Sequence, residues 1–313
     1  MRPELSAALV EGPVILDGGL ATELEAQGAD LSSDLWSARL LADDPGAIAA
    51  AHAGFFAAGA QVATTASYQA SSDGFARVGI GRSAAEGLIR RSVELARDAI
   101  TRCSDDQQRW VAGSVGPYGA ALADGSEYRG DYGLSVAQLR EWHRPRIALL
   151  AEAGADVLAL ETIPCLAEVE GLLAEIEGTG MACWMSVTCA RGQTRAGEPA
   201  AEAFAMVREV AEVVAVGVNC LDPVDALGLV RSAAQVSGKP VVVYPNSGER
   251  WDGAARGWTG SASFSADDVR AWIDAGARLV GGCCRVGPAM IRQIAGIVGS
   301  HVVDPIGSAV RTW

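Results

Sequence analysis

Eight short runs of apolar, largely β-branched residues alternate along the chain with longer alanine-rich segments. Each run has the length of a buried strand, and each intervening segment has the composition of a helix. This alternation is typical of parallel strands joined by crossover helices, and eight such units predict an α/β fold, a closed (β/α)8 TIM barrel. The predicted strands are VILDGG from Val14, QVATTAS from Gln61, RWVAGSVGP from Arg109, VLALET from Val157, CWMSVTC from Cys183, VVAVGVNC from Val213, VVVYPNSG from Val241 and RLVGGCC from Arg278.

The length and composition suit one large barrel. The chain has 313 residues, of which 50% are hydrophobic, so a large core can be buried. We predict a single-domain barrel over residues 1–300 and a C-terminal tail over residues 301–313. An open doubly wound sheet is the alternative, but the fingerprint G-x-G-x-x-G is absent after the first strand.

The charge and the termini exclude several classes of partner. The formal net charge of −13 argues against a nucleic-acid partner, because proteins that bind nucleic acid present basic patches to its phosphates. The N-terminal residues do not form a secretory signal, and no apolar run reaches the roughly 18 residues of a membrane helix. We therefore expect a cytoplasmic protein that acts on small molecules and binds neither nucleic acid nor membranes. The sequence does not indicate an oligomeric state.

Two residue types are too scarce for some kinds of chemistry. Lys239 is the single lysine and precedes a predicted strand, which disfavours a Schiff-base aldolase. The three histidines, His52, His143 and His301, are scattered and form no metal-binding pair. A histidine-rich hydrolase is disfavoured as well, and we interpret these histidines as packed or surface residues.

Three of the seven cysteines follow two strands of the predicted barrel that are separated by one other strand. Cys220 ends the sixth strand, and Cys283 with Cys284 ends the eighth. Active sites of such barrels lie at the carboxyl ends of the strands, where three thiolates with an open fourth position would form a catalytic zinc site. The alternatives are buried structural thiols or a vicinal disulfide. The remaining cysteines are interpreted as packed thiols: Cys103, Cys165, Cys183 and Cys189.

The chain resembles the homocysteine S-methyltransferase family over nearly its whole length. The motifs that carry the resemblance are DGGLATELE, TTASYQAS, GSVGPYGAALADGSEYRGDY, HRPR, ETIP, GVNC, VVYPNSGERWD and GGCCR. The resemblance implies a (β/α)8 barrel, and a zinc ion held by Cys220, Cys283 and Cys284. It also implies transfer of a methyl group from S-methylmethionine, or from S-adenosylmethionine, to the thiol of homocysteine, with no catalytic residue beyond the zinc centre.

Carboxylates at the strand ends are the candidate anchors for homocysteine. The resemblance assigns Asp17 and Glu161 to its ammonium group and the N–H of Gly18 to its carboxylate. Asp17 could instead cap the following helix, and Glu161 could face solvent. Arg285 could bind a carboxylate or form a salt bridge at the barrel mouth. Further substrate contacts are expected from polar residues at the strand ends: Thr65, Ser67, Tyr68, Asn219 and Tyr244.

The loop after the seventh strand is the candidate site for the methyl donor. It carries Tyr244, Trp251 and Trp258, whose rings could face a sulfonium cation or could pack against a neighbour. No nucleotide fingerprint is visible, so S-methylmethionine is the expected donor. Two other functions stay open: a non-catalytic sensor of homocysteine or zinc, and a methyltransferase that prefers selenohomocysteine or selenocysteine. A redox protein that cycles Cys283 and Cys284 is a third possibility.

Overall fold

The computed structural model describes residues 4–31, 35, 37–252, 257–263 and 265–303, with the backbone alone at 250–252, 257–258 and 301–303. Eight parallel strands form one sheet in the order β1-β8-β7-β6-β5-β4-β3-β2. The predicted (β/α)8 barrel is confirmed, and each predicted strand is found within a residue of its expected start. The strands are β1 (Val14–Ile15), β2 (Val62–Thr64), β3 (Trp110–Val115), β4 (Val157–Ile163), β5 (Cys183–Val187), β6 (Val213–Asn219), β7 (Val241–Tyr244) and β8 (Ala277–Val280).

Helices connect the strands and surround the sheet. Several begin at side-chain caps that the sequence supplies: Asp44 accepts a hydrogen bond from the backbone of α4, and Ser135 and Ser265 form capping boxes on α8 and α12. The helices are α1 (Leu5–Glu11), α2 (Leu20–Ala26), α3 (Ser37–Asp43), α4 (Pro45–Ala57), α5 (Ser72–Arg77), α6 (Arg82–Thr101), α7 (Tyr118–Leu122), α8 (Val136–Glu152), α9 (Leu166–Ile176), α10 (Ala200–Met206), α11 (Pro223–Ser237), α12 (Ala266–Asp274) and α13 (Pro288–Val303).

The barrel is closed between β1 and β2 by hydrogen bonds that do not form a strand ladder. The backbone N–H of Gln61 donates to Ile15 O at 2.7 Å, and the Gln61 side chain accepts from Ile15 N at 3.1 Å. Nearer the carboxyl ends of these two strands, Thr64 donates its backbone N–H and its hydroxyl to the two carboxylate oxygens of Asp17, at 2.7 and 2.8 Å. A side chain thus completes the sheet where two strands are too short to pair.

Alternate residues of each strand enter two separate apolar clusters. On β4, Val157 and Ala159 point to the barrel interior, whereas Leu158 and Leu160 pack under the helices. Leu5 and Leu9 of α1 join the inner cluster, so this helix packs against the barrel interior. The other members of the inner cluster are Val14, Leu16, Val62, Trp110, Ala112, Trp184, Ala215, Val242, Tyr244 and Leu279.

Three short elements lie outside the barrel. A 3-10 turn, Ser126–Tyr128, follows α7, and a two-residue hairpin pairs Cys189–Ala190 with Gln193–Thr194. A second hairpin pairs Arg250–Asp252 with Gly257–Thr259. Trp251 and Trp258 are opposite each other in its register, but their side chains lie outside the described residues, so their predicted donor contact stays a prediction.

No helix in the described part of the chain combines the length and the apolar character that crossing a membrane requires. Helix α13 ends at Val303, and residues 304–313 of the predicted tail lie outside the described residues.

Gly217 permits the close approach of β6 to β7. A Cβ at Gly217 would lie 1.9 Å from the carbonyl oxygen of Val242, so we expect Gly217→Ala to lower the free energy of unfolding by about 1–3 kcal/mol or more. Gly228 in α11 has nothing within 4 Å of its added Cβ, and Gly228→Ala should stabilise the protein by about 0.5–1 kcal/mol. Urea denaturation of both variants checks the pair, and equal midpoints would contradict the packing argument.

Candidate metal and substrate site

Three thiols meet at the carboxyl end of the barrel. The Cys220 sulfur is 3.8 Å from that of Cys284, which is 4.0 Å from that of Cys283, and all three lie within 4.8 Å of one another. The loop after β7 fixes them in place. Cys220 donates its N–H to Tyr244 O at 3.2 Å, and Cys283 donates to Pro245 O at 2.8 Å.

The spacing of the sulfurs fits a metal site better than a disulfide. A disulfide requires an S–S distance of about 2.05 Å, and all seven cysteines are free thiols in the structure. Sulfur ligands about 2.3 Å from a tetrahedral metal are separated by about 3.8 Å, close to the observed distances. The predicted convergence of Cys220, Cys283 and Cys284 is therefore found, and the vicinal disulfide is not.

The three thiols differ in pKa. Hydrogen bonds from Cys283 and Cys284 hold the pKa of Cys220 well below its usual value, although the group is buried. The same contact with Cys220 raises the pKa of Cys283. Three close thiols, one of which loses its proton readily, suit a cation, because metal binding requires deprotonated sulfur.

Asp17 lies in the wall of the cavity above the thiols and does not cap a helix. Its side chain is 4% exposed, and α2 begins at Gly19 with no side-chain cap. The two hydrogen bonds from Thr64 favour the charged form, but burial raises the pKa of Asp17 to about 8, and neighbouring Glu161 adds to this increase. The capping alternative for Asp17 is thus wrong.

Glu161, at the end of β4, is buried as well and does not face solvent. It is 7% exposed, accepts a hydrogen bond from the Ser114 hydroxyl, and accepts a second from the Tyr244 hydroxyl at 3.1 Å. Tyr244 is itself held by Trp184 Nε1 at 3.0 Å and by Ser186 at 2.7 Å. Burial raises the pKa of Glu161 to about 7. The solvent-facing alternative is therefore wrong.

The backbone is strained where the strands deliver these groups. Thr162 and Cys220 both have positive φ, 61° and 52°, which is rare for residues other than glycine and costs about 1–3 kcal/mol each. The Asn219 side chain fixes Thr162, since it accepts from Thr162 N and donates to Thr162 Oγ1, each at 2.7 Å. Asn219 lies outside the described cavity lining, and its bonds tie the residue after Glu161 to the residue before Cys220.

Residues after β2 contribute to the wall at two depths. Thr65 and Tyr68 line the cavity. Ser67 lies behind them, bonded to the Thr65 hydroxyl at 2.7 Å and to Ser114 O at 2.8 Å. Ser67 and Asn219 thus support the site from outside the lining. A direct contact of either residue with substrate stays a prediction.

Gly18 forms part of the floor beside the cysteine loop. A Cβ at this position would come within 2.1 Å of Val286 O, so glycine is required for the close contact between the β1 and β8 ends. Neither Gly281 nor Gly282 has a positive φ, whereas Arg285 has a φ of 65°. The left-handed residue in the turn that carries Cys283 and Cys284 is therefore an arginine and not a glycine.

The cavity has a volume of about 800 Å³, its open mouth included, and its wall is acidic. In the described part of the chain, none of its lining residues is Lys, Arg or His. Arg285 is turned away into an ion pair with Glu249, with Nε 3.3 Å from Oε2. Of the two alternatives for Arg285, the structure shows the salt bridge.

Among the described lining residues that sequence reasoning does not predict, two are ionisable, Glu127 and Tyr128. They belong to the 3-10 turn, twelve and thirteen residues after β3, so a search of strand ends does not reach them. The Tyr128 hydroxyl lies 3.2 Å from the Cys220 sulfur, and the guanidinium of Arg195 lies 5.6 Å from the centre of the Tyr128 ring. The sequence motif GSEYRGDY, which contains both residues, is the signal that could identify them.

The HRPR motif braces the wall from behind. Arg146 donates to the carbonyl oxygens of Tyr68, at 3.0 Å, and of Gly116, and to His143 Nδ1 at 3.1 Å. Since an arginine can only donate, His143 must carry its proton on Nε2, which lies 2.8 Å from Glu168. Burial lowers the pKa of His143, so the ring is neutral in this chain of contacts. His143 is a packed residue, as the sequence predicted.

Comparison with known proteins agrees with this geometry. The family model described as homocysteine S-methyltransferase matches residues 14–298. The homocysteine S-methyltransferase YbgG of Bacillus subtilis is 44% identical over 296 residues, which cover 90% of this chain and 93% of the relative. The selenocysteine Se-methyltransferase of Brassica oleracea var. italica is 43% identical, with 90% and 88% covered. The metallated crystal form of the homocysteine methyltransferase MmuM from Escherichia coli superposes with a TM-score of 0.82 at 40% identity, with 91% and 96% covered. The resemblance seen in the sequence is confirmed, and the chain belongs to the homocysteine S-methyltransferase family.

Proposed function

We propose that this protein transfers a methyl group from S-methylmethionine to the thiol of homocysteine and that both products are methionine. One observation carries the proposal: three thiols converge within 4.8 Å at a cavity whose wall holds buried carboxylates and no cation among the described lining residues. The thiols suit a metal that binds a sulfur substrate, and the acidic wall suits cationic partners.

Cys220, Cys283 and Cys284 are the residues that would hold zinc. The sulfur spacing supports this assignment, as does the match to a metallated relative. Zinc at such a site keeps an additional thiol ligand deprotonated at neutral pH. A reducing compartment such as the cytoplasm keeps the three protein thiols available for this role.

The carboxylates would orient the acceptor. The ammonium group of homocysteine is drawn to Asp17 and Glu161, which stand on different strands. An approaching cation favours the charged forms of these carboxyls, which burial alone disfavours. Fixing that end directs the other end of this short molecule to the thiols. The residues thereby supply proximity and orientation, which account for a large share of the barrier in a two-substrate reaction.

The methyl transfer itself demands little acid–base chemistry from the wall. The bond between the sulfonium sulfur and one methyl carbon breaks as the new carbon–sulfur bond forms on the acceptor. The electron pair stays on the donor sulfur, which departs as a neutral thioether. An acidic, cation-free wall favours the approach of the positively charged donor and does not need to move a proton in this step.

A selenium acceptor is the second candidate. It is favoured by the 43% identity to a selenocysteine Se-methyltransferase. The acceptor assay therefore includes selenocysteine and selenohomocysteine beside homocysteine. A sensor without catalytic activity would bind homocysteine but form no methionine from labelled donor, and the same assay distinguishes it.

Removing one thiol should abolish metal binding and activity together. We expect Cys284→Ser to lose bound zinc and methyl transfer, because two thiolates and a hydroxyl are poor substitutes for three thiolates. Cys103→Ser is the matched control, since Cys103 is half-buried and hydrogen bonds to Ala99 O, away from the cavity. Zinc content by elemental analysis and methionine formation are measured on the same samples. A zinc-free Cys284→Ser protein with full activity would refute the metal assignment.

Glu161→Gln should weaken acceptor binding without disturbing the fold, because the amide can keep both partners, Ser114 and Tyr244. A charge-assisted contact is worth about 1.5–3 kcal/mol, so the KM for homocysteine should rise about tenfold or more. Glu170→Gln, an exposed position, is the control for the loss of one negative charge. Initial rates at saturating donor measure the effect, and an unchanged KM would remove Glu161 from the acceptor site.

The same variant has a signature in stability against pH. Burial raises the pKa of Glu161 from 4.5 to about 7, so the folded protein holds more protons than the unfolded chain between these values. Stability from this group is present below about pH 4.5 and is lost as the pH rises towards 7. Denaturation of the metal-free protein at several pH values should show a shallower decline for Glu161→Gln.

S-methylmethionine should exceed S-adenosylmethionine in kcat/KM, and betaine and methyltetrahydrofolate should be inactive. The acidic wall attracts sulfonium cations, and the described cavity shows no feature that would recognise a nucleotide. Initial rates with each donor at fixed homocysteine measure the order. Faster turnover with betaine than with either sulfonium would overturn the donor assignment and leave the thiol site intact.

A further inference from the structure

We propose that Glu127 binds the ammonium group of the methyl donor, at a subsite separate from the Asp17–Glu161 pair. The inference rests on the proposed reaction and adds to it a residue that decides which donors are used. It follows from the burial of Glu127, from the absence of a hydrogen-bond partner at its Oε2, and from the turn that carries it.

Glu127 is a buried carboxylate that forms no ion pair within the described part of the chain. Its side chain is 4% exposed and lines the cavity, yet Oε2 has no hydrogen-bond partner. The nearby cation Arg129 is engaged elsewhere, in ion pairs with Asp124 at 3.8 Å and Asp131 at 3.4 Å. Burial raises the pKa of Glu127 to about 7, which reflects the unfavourable environment of its charge. A buried acceptor of this kind is costly unless a ligand supplies the missing donor.

The turn that carries Glu127 is fixed in place. Ser126 donates its N–H to Asp124 Oδ1 at 2.9 Å, and the carbonyl of Ser126 accepts from Gly130 N at 2.9 Å. A Cβ at Gly119 would lie 2.4 Å from the backbone nitrogen of Glu127, so α7 packs directly onto the turn. The carboxylate is therefore held at the cavity by close packing, as expected of a binding residue.

Both substrates of the proposed reaction are amino acids with an ammonium group. Two anionic positions are therefore expected in the cavity, and the cavity has two. Asp17 and Glu161 influence each other's charge and lie on the strand ends of β1 and β4. The charged neighbours of Glu127 are instead Cys220, Asp124 and Arg129. Glu127 thus approaches the thiols from the loop after β3 and forms a second anionic position.

The position of the turn favours the donor over the acceptor. Tyr128, the next residue, is 40% exposed at the mouth while its hydroxyl reaches the Cys220 sulfur. A sulfonium must approach the acceptor sulfur from the open side, because the strand ends close the other. An ammonium group held at Glu127 would keep the donor in line between the mouth and the thiols.

The experiment compares two donors and two proteins. The donors are S-methylmethionine and (3-carboxypropyl)dimethylsulfonium, which is the same molecule without its amino group. For Glu127→Gln we expect the donor KM of S-methylmethionine to rise about ten- to a hundredfold, while zinc content and the homocysteine KM stay unchanged. With the amino-free donor, wild type and variant should have equal kcat/KM, because the contact removed by substitution is already absent.

The control variant is Glu170→Gln, which loses one exposed negative charge and should retain wild-type kinetics. A second readout is stability at pH 8, where Glu127→Gln should melt higher than wild type because an unpaired buried charge is gone. Lower melting of the variant together with an unchanged donor KM would show a merely structural role and overturn the inference. A raised homocysteine KM with unchanged donor KM would do the same by placing Glu127 at the acceptor.

The wild-type protein alone gives a further test if the variant does not fold. It should use S-methylmethionine at least about tenfold better than the amino-free donor in kcat/KM. Equal use of the two donors by wild type would overturn the inference. Absence of methyl transfer from any sulfonium would instead overturn the proposed reaction.

Discussion

The Asp17 carboxylate joins the two ends of the sheet, and the rest of the site depends on this contact. Strands β1 and β2 contain two and three residues and do not pair with each other as a ladder. The N–H of Thr64 would be unsatisfied at this seam without Asp17, and a buried unpaired N–H is rare in folded proteins. A residue in the substrate cavity thus also closes the barrel, so its position is determined by the fold.

Hydrogen bonds from the surrounding fold explain how the cavity tolerates several buried carboxyl groups. Asp17, Glu127 and Glu161 are buried with no cation among the described lining residues, and burial raises the pKa of each. Positive φ at Thr162 and Cys220 adds strain in the same place. Such costs persist only where the surrounding structure fixes the groups, and here the hydrogen bonds of Thr64, Ser114, Tyr244 and Asn219 do so. Ligand cations would relieve the charge, which links the energetic cost of these buried carboxyls to a binding function.

The sequence predicts the strands and the thiol site well because both follow from the positions of the apolar runs along the chain. Apolar runs of strand length locate β1 to β8, and residues that directly follow buried parallel strands must share one rim. Cys220, Cys283, Asp17 and Glu161 are of this kind. Their partners are not, because hydrogen bonds such as Asn219 to Thr162 or Thr64 to Asp17 join residues about 50 positions apart.

The residues missed by sequence reasoning share a different origin. Glu127 and Tyr128 reach the cavity through a turn well beyond the end of β3, and the position of a turn depends on packing that no local pattern encodes. The contact of Gly119 with the backbone of Glu127 and the bonds from Arg146 to the carbonyls of Tyr68 and Gly116 are tertiary constraints. A burial pattern does not reveal them, although the unusual motif marks where to look.

The site therefore divides into a part built by strands and a part built by loops. Strand ends hold the thiols and the Asp17–Glu161 pair, and at Asp17 a change would also remove hydrogen bonds that close the barrel. The turn at 126–128 borders the same cavity but belongs to no barrel strand. If Glu127 binds the donor, substitutions in this turn alter donor recognition at a small cost in stability, because loops tolerate change far better than a closed sheet does. Under the proposed reaction, the fold therefore constrains the acceptor site at the strand ends, whereas the turn at 126–128 leaves donor recognition free to change.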